Sequence, residues 1–232
     1  MHFAYILLHK PCVLTAYILT SFKEILMTEQ KYRRAAPSAA AIFHRGFVGN
    51  TLKCYFSAKR DTKTGEPTGK DSLYGGIAEC DTFYENPVGY SHNKLVELYR
   101  ECLEEIGPEF ESYVTEAYFI QNAKFVCDLI VRTGDVNKIH DTMFVSFRVD
   151  DALAEFLETK AKPTEEQYPA KLYDVTLLSE QVLGDVGNEG LSAPYNAQEL
   201  ISAIVLPDEI NLAHKHELNA LAMFFYRNLY EN

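Results

Sequence analysis

The stretch IFHRGFV-GN-TLKCYFSA, residues 42–58, decides the fold. Two short runs rich in aromatic and β-branched residues flank Gly49-Asn50, a tight-turn dipeptide, which predicts a β-hairpin. Along the second run, alternation sets Lys53 and Tyr55 on one face and Leu52, Cys54 and Phe56 on the other. Further alternation, at Phe125, Cys127, Leu129, Val131 and again at Met143, Val145, Phe147, Val149, predicts strands near 124–132 and 143–149.

Helices complete the pattern. Leu95, Leu98, Tyr99, Cys102, Leu103 and Ile106 recur at helical spacing between a capping Ser91 and a terminating Gly107-Pro108, which predicts a helix over 91–106. Leu218, Leu221, Ala222, Phe225 and Leu229 give a closing helix over 211–230 its buried face. Residues 110–121 suit a helix or a strand, 150–160 a short helix, and 172–182 an extended segment. The glycine-containing stretches 60–76 and 184–194 read as loops. Strands and helices mix without regular β–α alternation. The expectation is α+β, one domain over 41–232 with a mostly antiparallel sheet packed by the two long helices.

Residues 1–40 read as an extension, with an exposed arm from about residue 28. The apolar run within 1–26 is broken by Lys10-Pro11 and ended by Lys23-Glu24, too short for a membrane span. It lacks the charged start and cleavage site of a secretory signal. Met27-Thr28-Glu29-Gln30 has the character of a native start; if 13–26 is part of the protein, it forms a packing helix. Five scattered cysteines with no C-x-x-C pair point to free thiols in a reducing, cytoplasmic setting.

Charge is strongly segregated. The window 31–70 holds nine basic residues and two acids in a chain of net charge −11, while 81–232 holds 11 basic and 27 acidic residues. Cations interleaved with rings suit single-stranded nucleic acid, whose phosphates they track and whose bases stack on aromatic faces. The candidate set is Arg33, Arg34, Arg45, Lys53, Tyr55, Lys59 and Arg60, with Tyr32 and Phe47 as further rings. The competing reading makes the phenylalanines core and the cations a solvated face. Glu101, Glu104, Glu105, Glu109, Glu111 and Glu116 form an acidic stretch that suits a protein partner, a mimic of nucleic acid, or solubility alone. Pairing of the basic arm with the acidic body of a second copy would make a homo-oligomer.

Local catalytic signatures are incomplete. His214 and His216 lie two apart, which on a helix points them away from each other, so no metal is expected there. Gly65 to Ser72 has the wrong spacing for a phosphate-binding P-loop, and Gly-x-Ser-x-Gly is absent. No cofactor is expected. The sequence therefore points to a non-enzymatic nucleic-acid-binding protein. The alternative is an acidic interaction module, an assembly subunit or an inhibitor of a nucleic-acid enzyme, compatible with a virus- or mobile-element-encoded protein. An enzyme whose site is assembled from distant residues ranks third.

Overall fold

The computed structural model describes residues 36–77, 90–132, 139–178 and 201–230. The expected arm at 1–35, the packing helix at 13–26 and the loop at 184–194 lie outside the described residues. The hairpin forms: β1 (Ala36–Val48) and β2 (Thr51–Arg60) pair antiparallel around Gly49-Asn50, with a register irregularity between His44 and Gly46. Gly46 and Gly49 supply the positive φ angles, 105° and 60°, that the bulge and turn need. β1 starts at Ala36, so residues 36–40, expected in the arm, belong to the sheet.

The expected loop 60–76 is instead largely strand. β3 (Pro67–Ser72) pairs with β2 beyond the hairpin, and β4 (Tyr74–Ile77) pairs with the first half of β1. Polar, glycine-rich composition hid them, because their stability comes from pairing and not from side-chain propensity. After α1 (Tyr90–Ile106) and α2 (Glu116–Asn122) come β5 (Lys124–Arg132), β6 (Ile139–Arg148), α3 (Asp151–Glu155), β7 (Lys171–Leu177), β8 (Ile204–Val205) and α4 (Lys215–Tyr230). The main strand order is β5-β6-β1-β2-β7-β8. Only β1–β6 is parallel among the strand pairings, so the α+β expectation of a mostly antiparallel sheet holds.

Both faces of this sheet are covered. Ala39, Ala41, Phe43 and Tyr55 pack with Leu98, Cys102 and Ile106 of α1 on one side. Ile42, Leu52, Cys54 and Phe56 pack with Leu221 and Phe225 of α4 on the other. The alternation in β2 is as predicted, yet Tyr55 on one face is buried as fully as Leu52, Cys54 and Phe56 on the other. Among the described residues, no helix is long and apolar enough to cross a membrane, and Cys54, Cys102 and Cys127 are buried free thiols.

The covering helices each bring a carboxyl inside. Glu217, in the first turn of α4, is 3% exposed and accepts the Leu73 N–H at 2.9 Å and that of His214 at 3.3 Å. Burial pushes its pKa up to about 7, against the lowering effect of those two hydrogen bonds and Lys59. The folded state thus keeps a proton that the unfolded chain releases near the ordinary glutamate value. This stabilisation is complete below about pH 4 and is lost as pH rises through 7.

Replacement of Glu217 by Gln retains an acceptor for Leu73 and removes the titration. Urea unfolding from pH 5 to pH 9 should show wild-type stability falling more steeply than that of Glu217→Gln, by on the order of 2–3 kcal/mol. Parallel pH profiles for the two proteins would show that Glu217 is not held neutral in the fold.

Candidate functional site

Leu73 to Gly76 is the element around which a site can be built. It crosses from β3 to β4 between the two helix layers, and its backbone N–H groups meet side chains from both. On the α1 side, the Gly75 N–H donates to Glu105 Oε2 at 2.7 Å. Glu105 is 3% exposed, and burial raises its pKa to about 8, offset in part by Lys59 and the Gly75 N–H. Beside it, Gln167 is fully buried, and its side chain helps hold down the Glu105 pKa.

Glycine is required at 75 and 76 for different reasons. A Cβ on Gly75 would lie 2.6 Å from Ala40 Cα, and its φ of +148° is rare for other residues. At Gly76 the obstacle is a side chain, since a Cβ would lie 2.5 Å from Cδ of Glu101. Two consecutive residues without side chains thus let the carboxylates of α1 reach the strand backbone.

Along α1 the charges are interlaced. Arg100 pairs with Glu97 at 3.0 Å, with Glu101 at 2.5 Å and with Glu104 at 2.5 Å. Burial raises the pKa of Glu101, with Arg100 opposing and the Glu104 and Glu166 charges adding to the rise. Glu104 keeps a side-chain exposure of 59%, against 15% for Glu101, so the row runs from solvent to interior. Among the described residues, no three His, Cys, Asp or Glu side chains converge on a point where a metal ion could be held.

Of the acidic stretch read from the sequence, Glu104, Glu109, Glu111 and Glu116 are exposed, whereas Glu101 and Glu105 turn inward. Position 105 falls seven residues after Leu98 and three after Cys102, on the same side of the helix as the apolar stripe. An acid inside an apolar stripe was the available signal, because glutamate is almost never buried without a reason.

Among the described residues, the side chains predicted to bind nucleic acid do not gather into one surface. Tyr55 is fully buried against α1 and donates its hydroxyl to Glu158 at 2.6 Å. Arg45 is bound to Asp151 and to the Val149 carbonyl, and Lys53 pairs with Asp174 at 3.4 Å. Arg60 ties Gly65 and Thr164 together and lies 5.2 Å from the Tyr168 ring centre. Lys59 acts electrostatically on Glu105 and Glu217. Arg33 and Arg34 lie outside the described residues. The reason is topological: β2 is an interior strand with a helix layer on each side.

No protein-family model matches the chain, and no curated protein matches it in sequence. Solved structures similar to it include a MutT/nudix family protein from Enterococcus faecalis, at 12% identity and a TM-score of 0.48, over 92% of this chain and 69% of that one. A NUDIX hydrolase from Alicyclobacillus acidocaldarius aligns at 11% identity and a TM-score of 0.39, over 62% and 80%. A UDP-X diphosphatase aligns at 11% identity and a TM-score of 0.39, over 94% and 79%. Two sequence expectations, a non-enzymatic nucleic-acid binder and an acidic interaction module, are withdrawn on the geometry above. The basic and aromatic patch required by the first does not gather among the described residues, and two glutamates of the stretch required by the second, Glu101 and Glu105, turn inward, which breaks up a continuous acidic face.

Gly75→Ala should destabilise the fold by about 3 kcal/mol, since the added methyl meets backbone and not a movable side chain. Gly76→Ala should cost less than Gly75→Ala, because the Glu101 carboxylate can swing aside. Equal losses for the two variants in chemical denaturation would contradict this placement of α1 against the strand.

Proposed function

We propose that this chain is a hydrolase of phosphoanhydrides, acting where Glu101, Glu104 and Glu105 of α1 meet the Gly75–Gly76 strand. One observation carries the reading: a helical turn groups three carboxyls around Arg100, with Glu101 and Glu105 against Gly75–Gly76 and Glu105 buried and holding its proton to about pH 8. Groups of this kind, displaced that far toward neutral pH, cluster where proton transfer is needed.

Oxygen donors suit hard cations such as magnesium, which is usually held by one or two carboxylates together with substrate phosphates. Glu101 and Glu104 are the residues that would hold it. When bound, such a cation neutralises charge on the phosphoryl oxygens.

The remaining work belongs to the chain. Arg100 fixes the rotamers of Glu101 and Glu104 by pairing with both. Gly75 orients Glu105, which can accept the proton of an attacking water at its carboxylate once ionised. Water adds to phosphorus, the bridging P–O bond breaks, and the second phosphate leaves with the electron pair. The three buried free cysteines support a cytoplasmic location for this activity.

Nucleoside diphosphate derivatives are the first substrates to test, with magnesium and with manganese. Glu104→Gln and Glu101→Gln should each lower kcat/KM at least 100-fold, the scale of one lost transition-state contact, while leaving thermal unfolding near that of wild type. For the wild type, kcat/KM should rise with pH through a midpoint near 8 and level off above it, and Glu105→Gln should lose that limb. Absence of hydrolysis across a panel of diphosphates with either cation would refute the assignment.

A further inference from the structure

A second site lies on the opposite layer. At the turn end of β1, between the sheet and α4, is a cavity of about 530 Å3, a volume within the range of small-molecule sites. Gly75 and Gly76 pair with Ala40 and Ala39, whereas the cavity begins at His44, about 13 Å further along β1 and on the other face of the sheet.

Its lining is basic and aromatic. Lys124 and Arg148 are exposed at its rim, and no acidic side chain is part of the wall. Among the described residues neither cation forms an ion pair. Arg45 borders the cavity but is committed to Asp151. Arg227 donates to the Phe125 carbonyl at 3.0 Å and lies over that ring at 5.1 Å.

Inside, His44 is 9% exposed, and its Nδ1 is buried without a hydrogen-bond partner. Its ring centre lies 4.9 Å from that of Phe224, which in turn is 5.3 Å from Phe47. Burial, then the charges of Arg148 and Lys124, lower the His44 pKa to about 4. The imidazole is therefore neutral at pH 7, in a positive field set by the two free cations. A buried ring nitrogen with no partner, beside uncovered cations and two phenylalanines, is costly to the protein alone.

The geometry points to a binding site for a small organic phosphate bearing an aromatic ring, with the size and chemistry of a nucleoside monophosphate. Lys124 and Arg148 take the phosphate, Phe47 and Phe224 take the ring, and His44 Nδ1 meets a polar atom of the ligand. This site stands whether or not the α1 carboxylates prove catalytic.

Titration calorimetry of the full chain tests it, with AMP, GMP, CMP and UMP at low salt and no divalent cation, and with adenosine and inorganic phosphate alongside. At least one monophosphate should bind saturably, and the nucleoside and inorganic phosphate should each bind at least tenfold more weakly. Lys124→Glu and Arg148→Glu, both at exposed positions, should each weaken binding tenfold or more, while Glu104→Gln leaves it unchanged. No binding at millimolar nucleotide, or wild-type binding by both charge-reversed variants with unaltered melting, would overturn the proposal. Nucleoside or inorganic phosphate binding as tightly as the nucleotide would overturn it equally.

Discussion

The strand from Ser72 to Gly76 is held from both sides by buried carboxyls, and the layered structure depends on that grip. Glu217 of α4 takes the Leu73 N–H and Glu105 of α1 takes the Gly75 N–H. Two helices on opposite faces of the sheet thereby fasten to one short piece of backbone. Both carboxyls are desolvated enough to hold protons near neutral pH. A buried acid left unpaired would cost far more than the hydrogen bond returns, so the arrangement is tolerable only because each accepts from the backbone.

That grip also explains the shape of the candidate site. Helix α1 can approach the strand only where side chains are missing, and Gly75-Gly76 supplies the gap. Once there, the turn after Glu97 presents Arg100, Glu101, Glu104 and Glu105 in a graded row from solvent to interior. Arg100 keeps like charges from dispersing. The same helix buries Lys94 near its start, where it meets Asp141 at 3.1 Å, so α1 is fastened by an ionic contact near its start and by the Glu105–Gly75 hydrogen bond near its end. Rigid placement of this kind is what positions carboxyls for chemistry.

Positive charge ends in a different place from where the primary sequence concentrated it. Cations of the early window are spent on local structure: Arg45 on Asp151, Lys53 on Asp174, Arg60 on a loop carbonyl pair. Lys124 and Arg148, which border the second cavity without an ion pair, come from an acid-rich region and lie together because β5 and β6 are neighbours. Linear charge density is a poor guide here, since pairing in three dimensions decides which charges face a ligand.

Periodicity alone was enough to locate the hairpin, the two long helices and the strands near 124–132 and 143–149, because spacing of apolar residues directly reflects which face is buried. It was also enough to assign Leu52, Cys54 and Phe56 to one side of β2 and Tyr55 to the other. It could not say that both sides were covered, and Tyr55 was therefore read as a free stacking surface. Strands β3 and β4 escaped notice since glycine and polar residues become strand only through partners far along the chain. The inward turn of Glu101 and Glu105, and the meeting of His44, Lys124, Arg148 and Phe224, belong to tertiary structure alone: long-range packing sets burial, and burial changes a solvated carboxylate or imidazole into a reactive or ligand-seeking group.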